Sequence, residues 1–141
     1  MRTSKTAEDN CANSKNRYMY RGKEYFCTLE LAMDIIGGKW KTLIVFHLRF
    51  GAQRSSELQH SLNGISNKMF TQSIRALEGD GIVKREIFPV VPPRVEYSLT
   101  NRGQTLIPLV EELARWGHSV TDETTPLNLS ECDTSLRNTA H

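Results

Sequence analysis

Asn67, Lys68, Thr71, Gln72 and Arg75 recur at helical spacing along one side of a segment whose other side carries Phe70, Ile74 and Leu77. Those polar side chains are suited to nucleobase edges and phosphates. Arginine pairs bidentately with guanine and glutamine with adenine, threonine touches a thymine methyl, and lysine neutralises a phosphate. No aspartate or glutamate interrupts the face before Glu78. On an isolated helix such a face is ordinarily just a solvated surface, so the neighbouring elements decide. Lys84, Arg85 and Arg94 form a second group of cations, on two stretches of strand character, where a basic side chain can reach a phosphate or enter a narrow minor groove. The ordinary alternative there is a solubilising edge strand. Arg94 is the better candidate, because Pro92-Pro93 fix the preceding loop in an extended form and reduce the entropy lost on docking.

Several elements must position these groups. Leu29, Ala32, Met33 and Ile36 follow the i, i+3, i+4, i+7 pattern, which predicts a helix over about 29–36 with Thr28 as its N-cap and Gly37-Gly38 as its end. A second helix is expected over about 39–50, with Trp40, Leu43, Ile44, His47 and Leu48 on one stripe, Phe50 widening the apolar face and Gly51 just past the end. Ser56 and Gln59 have capping-box spacing and open a short helix to about Leu62. Asn63-Gly64-Ile65 then turns the chain, and Ser66 caps the helix over about 67–78 that carries the polar face. Two helices around a Gly-containing turn make a helix-turn-helix. Beyond Asp80-Gly81 the period changes to that of a hairpin, with strands over 82–88 and 94–99 and a proline-rich loop between them; this is the wing. Leu106, Leu109, Val110, Leu113 and Trp116 mark a final helix over about 101–117, kinked at Pro108. The fold class is mainly α with a small β-hairpin, α+β, a winged helix-turn-helix.

The chain of 141 residues fits one domain with modest tails: a polar N-terminal tail over 1–22, a DNA-binding and dimerisation domain over 23–118, and an acidic, flexible tail over 119–141. Its net charge of +2 is too small to identify a nucleic-acid binder by itself; the distribution matters, since Asp122, Glu123, Glu131 and Asp133 mask a more basic body. The absence of a long apolar run or a secretory h-region predicts a cytoplasmic protein with no membrane partner. Cys11, Cys27 and Cys132 are too scattered for a disulfide framework or a zinc site and read as reduced thiols. Enzyme chemistry finds no convergent site. Gly37-Gly38-Lys39-Trp40 lacks phosphate-loop spacing, His47, His60, His118 and His141 lack metal-ligand spacing, and Glu111-Glu112 is a solvated helix face. Neither a cofactor nor a metal is expected.

The stretches Leu29 to Lys41, Gly64-Ile65-Ser66-Asn67-Lys68-Met69-Phe70-Thr71, and Val91-Pro92-Pro93-Arg94-Val95-Glu96-Tyr97-Ser98-Leu99-Thr100 closely resemble, in the same order, the HxlR-type family of bacterial transcription regulators. The resemblance covers about Cys27 to Gly117. It implies a homodimer paired through its first and last helices, a regulator of a nearby promoter that usually represses, a helix starting at Ser66 in the major groove of double-stranded operator DNA, and a hairpin on the flanking backbone. Two positions depart from the family pattern: Thr28 stands where a proline often follows the family's cysteine, and Ser55 where an aromatic residue is common.

The same resemblance implies that Cys27 is a candidate redox sensor responding to an electrophile or oxidant. A thiol just before a helix start faces the positive end of the helix dipole, and Lys23 is close in sequence. The alternative is a small buried hydrophobe beside Phe26 and Leu29. Two further readings stay open: a repressor gated by a small-molecule effector without redox chemistry, and a winged-helix protein-interaction module that has lost DNA binding.

Overall fold

A computed structural model describes residues 16–121 and 126–129. The chain divides into two compact units, residues 1–38 and 39–141, and each is described by itself.

The first unit is a hairpin followed by a helix. Strands β1 (Tyr18–Tyr20) and β2 (Lys23–Tyr25) pair antiparallel, with Tyr18 opposite Tyr25. Arg21 and Gly22 both have positive φ, 49° and 81°, the signature of a two-residue turn whose twist matches that of the strands it joins. This strand pair lies partly in the stretch read from sequence as tail. Helix α1 (Thr28–Ile36) starts one residue earlier than its periodicity suggests, so Cys27, not Thr28, is the N-cap, and it makes no side-chain capping bond. Tyr25 is buried, and its hydroxyl donates to Asp34 Oδ2 at 2.7 Å while Lys23 Nζ donates to the same oxygen at 2.9 Å. The hairpin is thereby tied to the last turn of α1.

The second unit is built around helix α2 (Lys39–His47), from which Ile44, Val45 and Phe46 enter the core. The helix is shorter than expected. After His47 the chain tightens into i→i+3 bonds, Arg49 N to Phe46 O and Gly51 N to Leu48 O, and Phe50 is left 65% exposed instead of widening the apolar face. Strand β3 (Gln53–Arg54) follows, then α3 (Ser55–Ser61), the turn at 63–65, and α4 (Asn67–Gly79). The expected Ser56 capping box is absent: α3 begins at Ser55 with Arg54 as N-cap, so Ser56 already sits inside the first turn.

Strands β4 (Val83–Phe88) and β5 (Arg94–Leu99) form the expected hairpin, and β3 joins it as a third strand in the order β3-β5-β4. Gln53 and Arg85 both lie opposite Tyr97, one on either side of it. The Gln53 side chain donates to His47 O at 2.6 Å, which fixes the short strand against the end of α2. Helix α5 (Asn101–Gln104) is capped by Thr100, whose Oγ1 accepts from Gly103 N at 3.0 Å and donates to Gly81 O. Helix α6 (Ile107–Ser119) is separate from α5, a correction to the single kinked helix expected from sequence. Pro108 lies in its first turn, where a missing N–H removes no helix bond, so it starts the helix and does not bend one.

Val110 is the residue of α6 that is buried in this unit; Leu109, Leu113 and Trp116 on the same helix stay exposed. Arg49 lies between the Phe46 and Phe50 rings, 3.7 and 4.2 Å from their centroids, pairs with Glu111 at 3.7 Å and donates to Phe46 O at 2.7 Å. It also donates to Leu129 O, so part of the stretch read as a flexible acidic tail is held against the folded unit. Among the described residues no helix is long and apolar enough to cross a membrane.

Candidate nucleic-acid interface

Helix α4 forms where the sequence places it. Ser66 Oγ accepts from Met69 N at 3.1 Å, satisfying one of the amide donors at the helix start. Phe70, Ser73, Ile74 and Leu77 are buried, and the Phe70 ring meets Tyr97 of β5 edge-on with centroids 6.3 Å apart. Because that stripe faces α2 and the sheet, Asn67, Lys68, Thr71, Gln72 and Arg75 are exposed on the opposite side, together with the cap Ser66. The first turn of α4 holds no acidic residue, which keeps the end of the helix that favours anions open to one.

Strand register separates the candidate cations of the wing. Residues directly opposite across an antiparallel pair share a face of the sheet. Arg85 lies opposite Tyr97 and shares the face that packs on α4, whereas Lys84 lies opposite Ser98 on the other face. Arg85 accordingly lines a groove of about 420 Å³ with Asn67, Thr71 and Arg75 of α4, Gln59 of α3, and Glu78. A second, wider cavity of about 700 Å³ adjoins it, sharing Gln59, Arg85 and Tyr97, and adds Arg54, Ser56, Arg94 and the Val90–Val95 loop. Its lining contains three arginines and no carboxylate. Arg94 is partly committed already: its Nε faces Glu96 at 3.1 Å, and its guanidinium stacks over Phe88 at 4.5 Å.

The structure thus brings Asn67, Thr71, Arg75 and Arg85 into one groove and Arg94 into its extension. Ser66, Lys68 and Gln72 stay on the exposed surface of α4 outside both cavities, and Lys84 lines neither. Arg54 and Gln59 are functional candidates that the sequence reading missed. A two-residue strand has no periodicity to betray Arg54, although its position just before the first helix of the helix-turn-helix was a usable signal. Gln59, expected from its spacing to close a capping box, instead donates from its side chain to Asn67 Oδ1.

Cys27 is half-buried at the N-cap of α1. Lys23, the nearby cation proposed from sequence to favour a thiolate, is turned to Asp34 and to the Tyr25 ring, 4.9 Å from its centroid. Lys23 is thus engaged by Asp34 and Tyr25, and what singles out Cys27 is its position at the helix start. Cys11 and Cys132 lie outside the described residues. Among the described residues no three His, Cys, Asp or Glu side chains cluster as a metal site would require.

The profile of HxlR-like helix-turn-helix proteins matches residues 35–125. The chain is similar to a helix-turn-helix transcriptional regulator of Methanothermobacter thermautotrophicus, with 45% identity over 94 residues, 67% of this chain and 72% of that protein. It is also similar to the transcriptional regulator YybR of Bacillus subtilis, with 43% identity over 109 residues, 77% of this chain and 86% of that protein. Among solved structures it resembles the redox regulator HypR in its oxidised form, with 44% identity, a TM-score of 0.65, and coverage of 69% of this chain and all 100% of that one. With its winged helix-turn-helix fold, the chain belongs to the HxlR-like helix-turn-helix family of DNA-binding transcriptional regulators.

Proposed function

We propose that the protein is a cytoplasmic repressor that binds a pseudo-palindromic operator as a homodimer, with α4 of each copy in a major groove and the β4–β5 hairpin on the flanking backbone. The observation that carries this reading is the groove in which Asn67, Thr71, Arg75 and Arg85 face outward together, continued by a cavity lined with Arg54 and Arg94. Donors of that kind match base edges, and the surrounding arginines match phosphate. Homodimer formation is supported by apolar faces that each unit leaves exposed, Leu29 and Met33 on α1 and Leu109, Leu113 and Trp116 on α6. For a two-fold dimer the half-sites should be centred about one turn, near 10 bp, or a multiple apart. Selection of bound duplexes from a random library tests the reading: two copies of one motif with that spacing are expected, and no enriched sequence would end it. A protein-interaction module that kept the fold without DNA binding would give that second result.

A second reading concerns Cys27. Its place at the start of α1, together with the similarity to a redox regulator, supports oxidation or alkylation of this thiol as the signal that alters packing of the N-terminal unit in the dimer. Operator binding with and without diamide, for wild type and Cys27→Ser, tests it. Loss of binding in the wild type alone is expected; an identical response in both chains excludes Cys27 and favours gating by a small-molecule effector.

A further inference from the structure

The loop between β4 and β5 is Pro89-Val90-Val91-Pro92-Pro93, a run without a charge or a polar side chain, and every residue of it is exposed. Val91 is 99% exposed, as open to water as in an extended chain. Ile87, beside the loop on β4, adds to the patch. A run of exposed apolar residues this long does nothing for the core and marks a surface that meets a partner.

Charge and reach narrow the choice of partner. The cavity of about 700 Å³ joins Arg54 and Ser56, near the start of α3, to this loop; Arg85 and Arg94 line it too, and no carboxylate does. A duplex phosphate seated among these arginines lies at the edge of the major groove that α4 occupies. Beyond Arg85, β4 runs on through Phe88, about 10 Å further at roughly 3.3 Å per residue. That distance crosses the phosphate ridge and brings the loop over the adjacent minor groove. The groove is about 6 Å wide, too narrow for a strand pair but open to a side chain at a loop tip. The loop is also held in advance: Val90 N donates to Phe88 O at 2.8 Å, and Pro92-Pro93 fix their own φ angles, so little entropy is lost on docking.

We infer that Val91 enters the minor groove at the flank of each half-site and selects A·T over G·C there by excluding the guanine amino group. This rests on the reading of α4 as the helix in the major groove. On the minor-groove floor A·T pairs present only acceptors, whereas G·C adds the N2 amino donor. That group projects into the groove, and an apolar side chain pressed over it both collides with it and leaves a hydrogen unpaired. The arginines beside the loop act in the same direction, because A·T runs have a narrow minor groove of more negative potential.

Inosine isolates the amino group: an I·C pair keeps the major-groove edge of G·C and lacks only N2. Duplexes carrying A·T, G·C or I·C at the flank of the motif selected by the wild type are titrated by fluorescence anisotropy with wild type, Val91→Ala and Val91→Asn. Because Val91 is so exposed, both variants should keep the wild-type melting temperature and half-site motif.

Wild type should bind A·T and I·C flanks equally and the G·C flank about tenfold more weakly. Val91→Ala, without the branched methyls, should narrow that gap to about twofold. Val91→Asn, whose carbonyl accepts from the amino group, should close it. An I·C flank bound as weakly as G·C would place the readout in the major groove and overturn the inference. So would a full gap in both Val91 variants, which would assign it to groove shape read by the arginines. Absence of any gap at the flank of a well-defined motif would leave the loop to a protein partner and overturn it equally. If wild type enriches no motif, the DNA-binding reading itself has failed and this inference falls with it.

Discussion

Replacing Arg85 or Lys84 by alanine removes the same charge from adjacent residues of β4, yet the two changes should have different consequences. Strand register puts Arg85 on the face of Tyr97, lining the groove with Asn67, Thr71 and Arg75, and Lys84 on the opposite face with Ser98. If Arg85 neutralises one phosphate per protomer, a dimer loses two such contacts on Arg85→Ala. Each phosphate contact contributes about 0.9 to the slope of log affinity against log salt, so the slope should fall by about 1.8. Between 50 and 200 mM salt, a fourfold rise, that amounts to roughly a tenfold smaller loss of affinity in the variant than in the wild type. Lys84→Ala should leave the slope unchanged. Fluorescence anisotropy on a labelled operator duplex across that salt range gives both slopes. A Lys84→Ala slope reduced as much as that of Arg85→Ala would refute the assignment of faces, and an unchanged slope in both would remove β4 from the phosphate contacts.

Three further outcomes follow from packing and charge. A Cβ on Gly103 would stand 2.1 Å from Ile82 O, so Gly103→Ala must push α5 away from the base of β4 and should destabilise the fold by the upper end of about 1–3 kcal/mol in chemical denaturation; a change under about 0.5 kcal/mol would show that the contact yields. Arg49→Met keeps bulk between the Phe46 and Phe50 rings but loses the bonds to Phe46 O and Leu129 O, and should cost about 2 kcal/mol in the same assay, with protease access near residue 129 increased. Unchanged protection there would mean that Arg49 does not hold the segment. The hydrogen bond to Asp34, reinforced by its charge, raises Lys23 above its ordinary 10.5, and the hydrogen bond to Asp34 followed by burial raises Tyr25 above 10.0. Both folded values exceed the unfolded ones, so the stabilisation is fully present at neutral pH and disappears as pH rises past the raised values. The stability gap between wild type and Asp34→Asn should therefore be flat near pH 7 to 9 and close above about pH 10.5, and a gap that widens with alkali would contradict the cluster.

Periodicity makes much of this molecule legible in its sequence. The stripe of Phe70, Ile74 and Leu77 against Asn67, Thr71 and Arg75 located α4 and its outward face, and Ser66 marked its start. The alternation of Val95, Tyr97 and Leu99 located β5. What stayed hidden was set by contacts rather than by local pattern. A three-residue strand has too few positions to show alternation, and the turn between β1 and β2 places Arg21, a residue with no preference for positive φ, beside Gly22. Strand β3 exists because Gln53 and Arg54 pair with Tyr97 and Glu96, partners far away in the chain. Ser56 and Gln59 have capping-box spacing, but helix α3 starts two residues earlier, with Arg54 as its N-cap, and leaves Gln59 to Asn67. In the site, composition named the cations; only the pairing register could say that Arg85, and not Lys84, faces α4.

Methylation interference on a selected operator tests most directly whether the outward face of α4 lies in the major groove of DNA. Methylation of guanine N7 places a group on the major-groove edge, while methylation of adenine N3 marks the minor groove. N7 methylation should block binding at guanines in both half-sites, centred about one helical turn or a multiple apart, and the pattern at one guanine of each half-site should change in Arg75→Ala. Binding that tolerates N7 methylation throughout would place α4 outside the major groove and contradict the account.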